Sequence, residues 1–197
     1  MEILHKNLYE EILYDGSQIE SNWAFKFLDI KGSSIITWKG PMNINEENLK
    51  DFEDIGLEIK SDKMIHFIVE FFDIQTPNLN IIYLRQRLLV MIFAEKLLEY
   101  GVLSKRSGDD LYINSKKLSV SIATISLSSM KIHFAVNLTN LGTPSDVETI
   151  GLLQLLDKNN VLIFNSDNLD SFINTVVDSY INELKTIEMD ISKTKTL

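Results

Sequence analysis

The stretch Met64-Ile65-His66-Phe67-Ile68-Val69-Glu70-Phe71-Phe72-Asp73 decides how the chain is read. Its β-branched and aromatic residues favour an extended conformation. Extended backbone sends alternate side chains to opposite sides, so Ile65, Phe67, Val69 and Phe71 share one face. His66, Ile68, Glu70 and Phe72 share the other. One face is ready for an apolar core, and the other mixes polar with apolar groups.

Two later stretches repeat this pattern. A strand over 131–138 places Lys131, His133, Ala135 and Asn137 on one face. A strand over 117–126 places Lys117, Ser119, Ser121 and Ala123 on one face. A helix-covered sheet face carries large apolar residues, and a solvated one carries long charged residues. Small and polar groups together fit the floor of a ligand site. His66, His133 and Glu70 carry metal-ligating atoms, but histidines on separate strands among large apolar neighbours read as hydrogen-bonded core or pocket groups, so no metal site is expected.

Around these strands the chain alternates short elements. A strand is expected over 8–14, then a turn at Asp15-Gly16. Ser17 and Glu20 have capping-box spacing, which predicts a helix over 18–28. A strand over 34–38 ends at Gly40-Pro41, and 45–54 reads as a short helix. The clearest helix covers 82–100, with an apolar stripe of Leu84, Leu88, Met91, Ile92 and Leu98, and Gly101 ends it. A closing amphipathic helix is expected over 168–187. The fold class that follows is α+β, a central largely antiparallel sheet with helices packed on it, in a single domain over 1–197.

Composition narrows the function. The 197 residues are 45% hydrophobic and 24% charged, ordinary for a folded domain. There is no cysteine, which removes disulfides, thiolate metal sites and thioester-forming nucleophiles. The net charge of −9 opposes nucleic-acid binding. The start, Met1-Glu2-Ile3-Leu4-His5-Lys6, does not read as a signal peptide, and the long apolar stretches are broken by charge, as at Arg85 and Arg87. A cytoplasmic protein without a membrane segment is expected. Arg85 and Arg87 also place positive charge near the start of the predicted helix, where it opposes the macrodipole unless it meets an anion.

Gly108-Asp109-Asp110-Leu111-Tyr112-Ile113-Asn114-Ser115-Lys116-Lys117-Leu118-Ser119 resembles a signature of biotin and lipoate protein ligases. In them an Asn-Asp pair, a short strand and a turn precede a lysine. Asp109, Asp110 and Lys117 match those positions, and His133-Phe134-Ala135-Val136-Asn137-Leu138 resembles a later strand ending in Asn. Over nearly the whole chain the sequence is also similar to the largely archaeal domain-of-unknown-function 366 proteins, through segments such as Tyr14-Asp15-Gly16-Ser17-Gln18 and Leu84-Arg85-Gln86-Arg87-Leu88.

These resemblances imply the class II aminoacyl-tRNA synthetase and biotin synthetase type of fold. They imply a ligase- or acyltransferase-like enzyme acting on a small carboxylate through an adenylate, with ATP and Mg²⁺ as cofactors. Lys117 and Asp110 would be the catalytic residues, Lys117 stabilising the charge that develops. The ligand-binding set would be Asp15, Gln18, Arg85, Arg87, Asp109, Ser119, Ser121, His133 and Asn137. The alternative is a non-catalytic protein that binds a small anion or nucleotide on the same fold, since fold does not choose function. A homodimer is compatible with either.

Overall fold

The structure, a computed structural model, describes residues 2–196. Five strands form the main sheet in the order β1-β2-β3-β8-β7. They are β1 (Leu4–Leu8), β2 (Ser34–Asn43), β3 (Lys60–Phe71), β7 (Ser119–Ile125) and β8 (Met130–Asn137). Within this sheet the β1–β2 pair is parallel, reached through a crossover that holds the short helix α1 (Trp23–Leu28). The remaining pairs are antiparallel. A small second sheet joins β4 (Lys105–Ser107), β5 (Asp110–Ile113) and β6 (Lys116–Lys117). Two long helices, α2 (Leu79–Glu99) and α3 (Leu169–Lys193), complete the α+β architecture. Among the described residues no helix is long and apolar enough to cross a membrane.

Strand alternation sorts the core into two clusters. Ile65, Phe67, Val69 and Phe71 join Ile132, Phe134 and Val136 beneath α2 and α3. There Phe93 meets Phe134 and Phe172 edge to face, with centroids 5.3 and 5.2 Å apart, a favoured aromatic geometry. The opposite face carries Trp38, Met64, Ile68 and Ala135, covered in part by Tyr14 and Ala24. The two-faced reading of 64–73 therefore describes the real strand.

Several local expectations are corrected. The first strand is β1, not 8–14; Tyr14 keeps only an isolated bridge to Met42. The predicted helix over 18–28 is a 3₁₀ turn, Ser17–Ile19, followed by α1. Asp15 explains the break, because its Oδ1 accepts from both the amide and the hydroxyl of Ser17 and so removes the cap. Asn22 then adopts a left-handed conformation, φ 61°, and donates its amide to Glu70. The strand at 34–38 continues past Gly40-Pro41, because a register shift between Gly40 and Met42 absorbs the proline. Helix α2 buries Ile82, Leu89, Val90, Phe93 and Leu97 and leaves Leu84, Met91 and Leu98 exposed. It is apolar around most of its circumference, so its spacing does not single out the buried side. The segment 45–54 forms two 3₁₀ turns.

A buried ion pair closes the far end of the polar face. Lys131 and Glu70 lie 3.6 Å apart with side chains 1% and 2% exposed. Ser129 and the amide of Asn22 satisfy Glu70, and Lys131 reaches the carbonyl of Glu20. Burial lowers the Lys131 ammonium to about 8, with Glu70 opposing the shift.

Gly40 is where two layers touch. A Cβ there would collide with the backbone carbonyl of Ile12. Gly40→Ala is therefore expected to destabilise the fold by about 1–3 kcal/mol, the usual scale of overpacking, read as a lower urea midpoint; an unchanged midpoint would contradict this packing.

Candidate functional site

A cavity of about 400 Å³ opens on the sheet face opposite the long helices. Its floor is Met64, Val120, Ile122, His133 and Asn137, and Tyr14 and Met42 form part of the wall. The segment 44–59 covers one side, tied down where the carbonyl of Asp15 accepts from the Asn48 side chain at 3.0 Å. Thr143, Pro144, Asp146 and Thr149 border another.

The β5–β6 hairpin delivers the charged groups. Asn114 and Ser115 both have positive φ, 50° and 67°, as a tight two-residue hairpin turn requires. Lys117 thereby pairs with Tyr112, on the side that also carries Asp110. Its Nζ lies 2.9 Å from Asp110 Oδ2. Its backbone is clamped on the other side, donating to Glu148 O at 2.8 Å and accepting from Ile150 N at 3.0 Å. Asp109 turns the opposite way. Arg87 holds it at 2.6 Å, and the Gln86 amide donates to its other oxygen at 2.8 Å. Burial raises the Asp109 carboxyl, and Arg87 opposes that shift.

His133 of the floor is paired with His66, which is buried behind it. His66 Nδ1 and His133 Nε2 are 3.1 Å apart, and His66 Nε2 is 3.1 Å from the carbonyl of Gly40. Tyr14 stacks on His133 with centroids 3.6 Å apart, and Trp38 stacks on His66 at 4.9 Å. Burial lowers His66 to about 4 and His133 well below its ordinary value, the second also because His66 is its neighbour. Both rings are neutral at pH 7.

The structure brings Asp109, Asp110, Lys117, Ser121, His133 and Asn137 to this cavity. It places Asp15, Gln18, Arg85, Arg87 and Ser119 outside its lining. Arg85 makes a two-pronged pair with Asp73, at 2.8 and 2.7 Å, and lies over the Phe71 ring. Helix α2 begins at Leu79, so neither arginine sits in its first turn and the dipole argument for an anion lapses. Gln18 serves the backbone at Asp15 and Leu13. Ser119 and Ser121 were expected on the face of His133 and Asn137. The register Val120↔Ala135 and Ile122↔His133 puts them on the helix side instead. The period-two count fails because Lys117 belongs to the hairpin, and the chain changes sheets before Ser119. Ser121 still reaches the cavity edge, accepting from Gln86 at 2.8 Å and donating to His133 O at 3.2 Å.

Sequence reasoning missed Tyr14, Lys50, Lys60, Asp54 and Thr149, all in the lining. Tyr14 carried the one usable signal, an aromatic ring just before the Asp15-Gly16 turn.

The family model for "Domain of unknown function (DUF366)" matches residues 2–195. The chain belongs to the DUF366 family. An uncharacterized protein of Methanocaldococcus jannaschii is 41% identical over 190 residues, covering 93% of this chain and 80% of that one. A solved protein of unknown function from Pyrococcus horikoshi is 34% identical, with a TM-score of 0.85 over 100% of this chain and 98% of its own. The biotin protein ligase of Aquifex aeolicus, solved with biotin and ATP, has a TM-score of 0.60 at 14% identity, covering 92% of this chain and 70% of that one. P. falciparum LipL1 in complex with lipoate has a TM-score of 0.57 at 14% identity, covering 100% of this chain and 64% of that one. At those identities the likeness establishes the fold: DUF366 shares the biotin and lipoate ligase architecture.

The buried histidines make DUF366 stability pH-dependent. An unfolded histidine titrates near 6.5, whereas burial lowers folded His66 to about 4. Between those values the unfolded chain binds a proton that the fold excludes, so stability falls as pH drops through the window. Urea midpoints are expected to decline from pH 7 to pH 4.5, and less steeply in His66→Asn, whose amide does not titrate. Equal slopes in the two proteins would remove the histidine from the account.

Proposed function

We propose that this protein binds a small carboxylic acid in the cavity and activates it as an acyl-adenylate. The observation that carries the reading is Lys117. Lys117 lines the cavity, its backbone is clamped, and Asp110 takes one contact of an ammonium with three donors. A cation fixed in this way stabilises the charge that develops as a carboxylate is joined to AMP and pyrophosphate leaves. The structural neighbours solved with biotin and ATP and with lipoate support the choice, because biotin and lipoate are both carboxylic acids.

The cavity's carboxylates, Asp51, Glu53, Asp54, Glu58, Asp109, Asp110 and Asp146, outnumber its lysines, Lys50, Lys60 and Lys117. Among the described residues no three His, Asp or Glu side chains are grouped to hold a metal ion. Scattered carboxylates fit Mg²⁺ carried on nucleotide phosphates, which needs only one or two protein ligands. Asp110 and Asp54 are the residues that would hold it. The surplus of acid also motivates the second reading, binding without catalysis, since Lys117 is already neutralised by Asp110.

Biotin, lipoate and octanoate, each with and without Mg²⁺ and ATP, test both readings by thermal shift and by pyrophosphate release. A bound acid raises the melting temperature, and activation releases pyrophosphate only when acid and nucleotide are both present. Lys117→Ala is expected to weaken acid binding by roughly 1.5–3 kcal/mol, the scale of a charge-assisted hydrogen bond, with little change in stability. Binding without pyrophosphate selects the non-catalytic reading, and unchanged affinity in Lys117→Ala contradicts both.

A further inference from the structure

His133 of the floor and the buried His66 form a hydrogen-bond chain that can run in one direction only. The Gly40 carbonyl accepts and cannot donate, so the His66 Nε2 at 3.1 Å carries the hydrogen. A neutral imidazole has one N–H, which leaves His66 Nδ1 as an acceptor. The His133 Nε2, 3.1 Å from it, must then be the donor. His133 Nδ1 is left as a bare acceptor, and it has no hydrogen-bond partner among the described residues. The ring cannot turn freely to relieve this, because Tyr14 is stacked against it and the residue is 2% exposed. His133 nevertheless lines the cavity, between Val120, Ile122 and Asn137.

We infer that His133 is a specificity-determining residue: its Nδ1 selects a ligand that carries an N–H or O–H donor in addition to its carboxylate. The inference rests on the proposed function, in which Lys117 takes the carboxylate. An acid lacking the donor leaves a buried acceptor unpaired when it displaces water from the floor, and sites built around a hydrogen bond reject such analogues strongly. The carboxylates Asp51, Asp54 and Glu58 around the cavity act in the same sense, favouring electropositive groups.

Biotin and lipoate are suitable probes, since both carry a carboxylate on an aliphatic chain. Biotin ends in a ring with two N–H donors, and lipoate ends in a cyclic disulfide with none. Titration calorimetry on the full chain is expected to give biotin at least about tenfold higher affinity. His133→Phe keeps an aromatic ring against Tyr14 but removes the acceptor, and should bring the two affinities within about threefold of each other. Lys117→Ala should weaken both acids alike. Nitrogen-15 NMR of the free parent protein provides a readout that needs no variant: His133 Nδ1 should resonate as an unprotonated nitrogen. A protonated Nδ1, lipoate bound as tightly as biotin or more tightly, a preference that survives His133→Phe, or no binding of either acid would overturn the inference. Equal affinities that both fall in Lys117→Ala would do so while leaving the carboxylate reading intact. Two affinities unaffected by Lys117→Ala would instead remove that reading.

Discussion

The carbonyl of Gly40 can only accept a hydrogen bond, and much of the polar sheet face is arranged around that fact. It fixes the protonation of His66, which fixes that of His133, at 3.1 Å per step. Two imidazoles can be buried in this way because each remaining polar atom is either paired or turned to the cavity. The stacked rings of Trp38 and Tyr14 hold the pair in plane, and both histidines stand on strands, β3 and β8. The close approach of Ile12 to Gly40 gives that carbonyl its position.

The charged side of the cavity depends on a different device. A two-residue turn at Asn114-Ser115 brings Lys117 back beside Asp110, and the 143–150 segment clamps the Lys117 backbone from outside. Asp109 faces the other way and ties the hairpin to α2 through Gln86 and Arg87. Adjacent aspartates thus do different work, and Asp109 has the stronger polar contacts. Arg87 acts on the cavity through Asp109, as a positioning residue.

The strands of the core were legible because strict alternation survives burial. From 65 to 71 every odd position is apolar, so one register satisfies the helices and the other would bury His66 and Glu70 against them. The site was legible only where the chain stays in one element. His133 and Asn137 lie on a continuous strand and were placed on the correct face. Ser119 and Ser121 were misplaced because the count began at Lys117, in another sheet. For Arg85 the sequence allows either an anionic ligand or an ion pair with a nearby acid such as Asp73, and the turn into α2 brings Asp73 to it at 2.7 Å. Nothing local in 44–59 announces that this segment covers the cavity, since long-range contact with Asp15 decides it.

The proposed function puts the ligand on the polar sheet face beneath this cavity. Chemical-shift mapping tests it directly, with isotope-labelled protein titrated with biotin, lipoate and ATP with Mg²⁺. Perturbed signals are expected at Lys117, Val120, His133 and Asn137 and in the covering segment 44–59, with the outer surfaces of α2 and α3 silent. Perturbations confined to those helices, with the floor residues unmoved, would contradict it.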